Sequence, residues 1–189
     1  MLKLLFLFFV FGFVTHGVES LFISNWLFPK LVNRTNMFQW ASIRKPDNYQ
    51  GLNITKIDNG FEFLWLEEFD GSKTTLTANF NYIFENTGSR EIIIVKDLCA
   101  NYKVGSLEHD VQMFILSKFM NTTKCPIKKG MKATYELPNP YTYPTTNREC
   151  GLVDGTLNLF KISSKHRRLT PLVMRMNFIG NVTGPNCSN

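Results

Sequence analysis

The sequence predicts an all-β fold, a two-sheet sandwich carrying one short amphipathic helix, and three observations support it. Apolar residues recur at every second position over about residues 36–98 and again near the C-terminus, the period of a strand with one buried face. Clusters of Gly, Asn and Asp break this pattern at hairpin intervals. One stretch between Cys99 and Cys125 changes to helical spacing.

Taking the elements in order, Met1-Leu2-Lys3 precedes an apolar run, Leu4 to Val14, and then small residues at Val18 and Ser20. This is the layout of a secretory signal peptide over residues 1–20. The run is shorter than the ~20 apolar residues a membrane-spanning helix requires, and no second such run follows. Residues 21–189 are then expected to form a single exported domain, long enough to bury its own core. Sequons at Asn33, Asn53, Asn121 and Asn181 fit that route as glycosylation sites, and a fifth at Asn186 is hindered by the neighbouring Cys187.

The strands come next. "FEFLWLEEF" places Phe61, Phe63 and Trp65 on one face, and "TLTANFNYIFEN" does the same for Leu76, Ala78, Phe80, Tyr82 and Phe84. In "REIIIVKDL", Ile92 and Ile94 are assigned inward. Asp58-Asn59-Gly60, Asp70-Gly71-Ser72 and Asn86-Thr87-Gly88-Ser89 supply the turns.

After Cys99, Leu107, Val111, Phe114, Ile115 and Phe119 fall on one helical stripe. Ser106 stands at the N-cap position, Glu108 and Asp110 in the first turn and Lys118 in the last, complementing the helix dipole. The helix should end near Asn121. "KATYELP" follows, and then "NPYTYPTTN", whose prolines at 138, 140 and 144 argue against regular structure. Two last strands alternate Leu157, Leu159 and either Phe160 or Ile162, then Leu172, Met174, Met176 and Phe178, with "SKHRRLT" as their turn.

Little here points to catalysis. Beyond the leader there are two histidines, His109 and His166, both in polar stretches and expected at the surface. Glu108, His109 and Asp110 are adjacent in a helix and point in different directions. Glu67 and Glu68 would lie on opposite strand faces. Nucleophile elbow, metal-ligand spacing and phosphate loop are all absent, so neither an enzyme nor a metal or other cofactor is expected. The formal charge of +6 permits anionic partners, and the basic run Ser164–Arg168 suits either a solvated turn or contact with an anionic membrane. Nucleic acid is not an expected partner, since no aromatic stacking positions accompany the basic run. Cys99, Cys125, Cys150 and Cys187 make an even count, which in an oxidising compartment implies two disulfides with three possible pairings. The 17 Phe, five of them in the leader, suit either a well-filled core or an apolar cavity.

The order of these motifs resembles the ML (MD-2-related) lipid-recognition superfamily, in its ganglioside GM2-activator-like branch with the insect chemosensory CheB-type proteins. The matching residues are the apolar strand into Cys99, Tyr102 and Gly105 after it, the amphipathic segment, Cys125-Pro126, Gly130, Tyr135 and Leu137, a final basic-turned hairpin, and Phe38-Gln39-Trp40 upstream. The similarity spans about residues 36–182. That branch carries further cysteines where Ser106 and Asp110 stand here, so its pairings do not transfer; Cys99 with Cys125 and Cys150 with Cys187 is the expected arrangement.

The resemblance implies an immunoglobulin-like sandwich whose sheets splay at one edge around an apolar, lipid-holding cup. The implied lining is Phe61, Phe63, Trp65, Phe80, Tyr82, Phe84, Ile92, Ile94, Leu157, Leu159, Met174, Met176 and Phe178, with Phe114, Ile115 and Phe119 of the helix as a lid or, more plainly, a plug. The expected role is secreted binding of a lipid or other hydrophobic small molecule, as in chemosensation. The alternatives are glycolipid presentation to a glycosidase, including in the lysosomal lumen, and a ligand-free sandwich that meets a protein receptor.

Overall fold

A computed structural model describes residues 30–163 and 171–187, and every element of the fold lies in the body that begins at Val32. The expected leader and the basic turn with His166 lie outside the described residues. The elements are β1 (Val32–Arg44), β2 (Leu52–Ile57), β3 (Gly60–Trp65), β4 (Thr74–Phe84), β5 (Arg90–Val95), α1 (Leu107–Phe119), β6 (Lys132–Glu136), β7 (Asn139–Thr145), β8 (Gly151–Ser163) and β9 (Leu172–Thr183). One sheet has the order β5-β4-β8-β9-β1-β7 and the other β2-β3-β6. Every pairing is antiparallel. The protein is therefore an all-β two-sheet sandwich with one short helix.

The strands form where period two and turn chemistry coincide. At the entry to β4, the Asp70 carboxylate accepts bonds from the Ser72 amide (2.9 Å), the Ser72 hydroxyl (2.8 Å) and the Lys73 amide (2.9 Å). Gly71 beside it takes φ +80°, which a side chain would resist. On β8, Gly155 lets the Phe178 ring of β9 lie flat, since a Cβ there would meet that ring at 2.4 Å. The inward residues of both sheets merge into one aromatic-rich core.

Two strands differ from the sequence reading. The proline-rich stretch is a strand after all: β7 pairs with β1, with Pro140 opposite Met37 and Pro144 opposite Asn33. It forms the rim of its sheet, where a residue without an N–H is tolerated because no further strand needs its bond. On β5 the inward set is Ile93 and Val95, while Ile92 (58% exposed) and Ile94 (51%) face solvent. Three consecutive isoleucines give period two no phase, and pairing with β4, which sets Ile93 opposite the buried Phe80, decides it. Glu67 and Glu68 follow β3 rather than lying in it; Glu67 pairs with Lys161 and accepts from the Tyr49 hydroxyl.

Disulfides join Cys99 to Cys125 and Cys150 to Cys187, with Cα separations of 5.4 and 5.7 Å. The first closes the loop that contains α1. The second lies beside Arg34, a cation only 1% exposed. Its guanidinium donates to the Pro185 carbonyl (2.6 Å) and the Arg148 carbonyl (2.9 Å), tying β1 to both cysteine-bearing segments.

Candidate functional site

Helix α1 starts where the sequence predicts, with the Ser106 hydroxyl accepting from the His109 amide at 3.2 Å. It ends at Phe119, two residues before Asn121, which turns left-handed at φ +52°. Its burial is wider than one stripe, because Asp110, Gln112 and Leu116 are buried along with Val111, Phe114, Ile115 and Phe119. Gln112 explains part of this: its amide donates to the Leu98 carbonyl (2.9 Å) and the Ala100 carbonyl (2.7 Å), fastening the helix to the Cys99 loop.

The helix rings fill the space between the sheets. Phe114 stacks on Phe38 of β1 at 4.9 Å and meets Phe80 of β4 and Tyr141 of β7 edge-on. Phe119 touches Phe63 of β3 at 5.3 Å and Tyr135 of β6 at 5.2 Å. The Trp65 indole donates to the Phe119 carbonyl at 2.8 Å, satisfying an acceptor the helix end leaves free. In this arrangement α1 is packed into the interior as a plug.

Two of the concave features among the described residues combine apolar walls with polar or charged groups from several strands. A cavity of about 40 Å³ lies beside the first half of α1. Its walls include Phe38, Phe80, Tyr82, Phe114, Tyr141 and Tyr143, with Asn36 and Asp110 as polar members. Asp110 is 5% exposed and neither of its carboxylate oxygens has a hydrogen-bond partner. Burial pushes its pKa up to about 7. His109 Nδ1 stands 3.7 Å from Asp110 Oδ1, an ion pair only if the imidazole is protonated. His109 is thus half-buried and turned toward its neighbour, unlike the surface position its polar stretch suggested. Burial also raises the pKa values of Tyr82, Tyr141 and Tyr143, so these phenols stay neutral.

The second feature is a groove of about 560 Å³ between the later part of β1 and the β2–β3 hairpin. β7 covers β1 only as far as Phe38; a bulge follows, and from Trp40 onward β1 pairs with β9 alone. Ala41 and Ile43 line the groove from one sheet, Ile54 and Phe61 from the other. Trp40, 50% exposed, stands at its rim. Arg44, Lys45 and Lys56 outnumber Asp47 there, giving the groove a cationic margin.

The sixteen residues named from the sequence as lining are distributed accordingly. Phe80, Tyr82 and Phe114 line the small cavity and Phe61 the groove. Phe63, Trp65, Phe84, Ile115, Phe119, Leu157, Leu159, Met174, Met176 and Phe178 are core, and Ile92 and Ile94 are outside it. Sequence reasoning missed Trp40, Ile43, Ile54 and the three cations, which converge only through the edges of two sheets. It also missed Tyr141 and Tyr143, hidden in the proline-rich stretch. Sequon residues Asn33, Asn53 and Asn121 are exposed and Asn181 is partly buried. Among the described residues no cluster of His, Cys, Asp and Glu is placed to hold a metal ion. Comparison with family models, with curated proteins and with solved structures gives no match to this chain.

Proposed function

We propose that this is an exported binding protein for a hydrophobic or amphiphilic small molecule, held in the groove between the later part of β1 and the β2–β3 hairpin. The observation that carries the reading is the groove itself. Its volume of about 560 Å³ falls within the roughly 300–1,000 Å³ of small-molecule sites. Apolar side chains from both sheets meet in it, and the cationic margin suits an anionic head such as a carboxylate. Burial of apolar ligand surface contributes about 25 cal/mol per Å², so a short acyl chain supplies several kcal/mol with few polar contacts. The resemblance of the motif order to the ML superfamily supports the same class of ligand. Two disulfides support export, and no helix among the described residues is long and apolar enough to cross a membrane.

The test is displacement of a fluorescent fatty acid from the full chain, with mass spectrometry of solvent extracts of protein from a eukaryotic secretory host. Saturable displacement that weakens when Phe61 or Ile54 becomes Asp supports the proposal. Absence of both displacement and copurified lipid overturns it.

The filled interior favours a second reading, a ligand-free sandwich that meets a protein receptor. A specific protein partner recovered with protein that retains no small molecule would select it.

A further inference from the structure

The cavity beside α1 has a chemistry that the groove does not explain. A buried carboxylate usually has hydrogen-bond partners, because desolvating it without them is costly. Asp110 has none on either oxygen, and it lines a cavity walled by aromatic rings. Asn36, another wall residue, has a buried Oδ1 that also lacks a partner. The unsatisfied atoms of these two residues are all acceptors. A group that fits must therefore bring N–H or O–H donors, and the rings favour one that is positively charged, since aromatic faces attract cations.

Size narrows the choice. About 10–15 Å³ of such space holds one water, so a cavity of about 40 Å³ takes a small ammonium head and little more. The partly buried Leu107, Tyr141 and Tyr143 form the side from which the rest of a ligand would extend. We infer that this cavity is a second ligand site, distinct from the groove, that takes the primary ammonium head of a small amine, with Asp110 as counter-ion and the Phe114 and Tyr141 rings in its wall.

The competing use of Asp110 is internal: pairing with a protonated His109, 3.7 Å away. That pair would leave the cavity without a task. The two cases differ in what an added amine does.

The test titrates the full chain with methylammonium while following the aromatic side-chain resonances by NMR, with methanol as a neutral control of equal heavy-atom count. The expected result is saturable binding of methylammonium, of millimolar order for so small a ligand, with shifts concentrated on Phe114 and Tyr141 and none from methanol. In Asp110→Asn the affinity should drop tenfold or more. Equal response to methylammonium and methanol, no saturable shift in the wild type, or undiminished binding by Asp110→Asn would each overturn the inference. The wild-type comparison needs no variant, so it holds even if Asp110→Asn folds poorly. Fatty-acid displacement from the groove is read separately, so failure of either proposal leaves the other standing.

Discussion

The Trp65 indole nitrogen, on the second sheet, donates a 2.8 Å hydrogen bond to the backbone carbonyl of Phe119, the last residue of α1. Trp65 and Phe119 are both fully buried, so the bond has no water to replace it. Trp65→Phe keeps most of the ring and removes the donor. Leaving a buried acceptor unsatisfied costs about 1–3 kcal/mol. Urea denaturation should show a lower midpoint with an unchanged slope.

The sequence leaves Phe114 as part of either a lid or a plug, and a lid would let Phe114→Ser weaken ligand binding while sparing secretion. Its contacts with Phe38, Phe80, Phe119 and Tyr141 argue for the plug. Removing a ring so enclosed costs about 3–5 kcal/mol. Secreted yield and thermal midpoint should fall together, and a normal yield would restore the lid reading.

Asp110 makes stability pH-dependent in a definite direction. Its pKa rises from 3.8 to about 7 on folding, so the folded state holds a proton that the unfolded state has released. That contribution is fully present below the unfolded value and is lost as the pH rises through about 7. The groups near it are His109 on its own helix, Tyr82, Tyr141 and Tyr143, with Glu91 and Arg34 beyond them. Glu91 is also raised by burial, so Asp110→Asn should flatten the decline only in part while raising the melting temperature at neutral pH. Thermal scans across that range read both effects.

The Cys99–Cys125 bridge closes a 26-residue separation around the helix. Chain-entropy arithmetic gives about 3.5 kcal/mol for a loop of that size. Replacing both cysteines with Ala should lower unfolding free energy by that order, measured against the intact chain in guanidinium.

At the groove, Arg44→Glu with Lys56→Glu should reduce affinity for an anionic amphiphile and leave a neutral one of equal length little changed. The loss should shrink in high salt, because exposed charges are screened over about 10 Å at 0.1 M ionic strength. Displacement assays at two salt concentrations give both readings. A salt-independent loss would place these residues in the fold rather than at the ligand.

Much of this architecture was legible because its signals are local. Strand period, turn residues, the Ser106 cap and the helical stripe are each read within a dozen positions, and they located α1 and most strands. What failed needed partners distant in sequence. The phase of β5 depends on Phe80, and β7 exists because β1 offers it a rim. Asp110 reads from the sequence only as a first-turn charge that complements the helix dipole, since nothing near it announces that Tyr141 and Tyr143 will come to lie beside it. The groove was hidden for the same reason, being made by strand edges rather than by any one face.

The two prolines of β7 affect more than that strand's own pairing. A rim carrying residues that cannot donate is a poor template for another chain, so on that side the six-stranded sheet resists extension into aggregates. The opposite rim is β5, whose solvent face shows Ile92 and Ile94. Solubility therefore rests unevenly on the two margins of this sheet, and a single charge placed at Ile92 should improve it more than any change along β7.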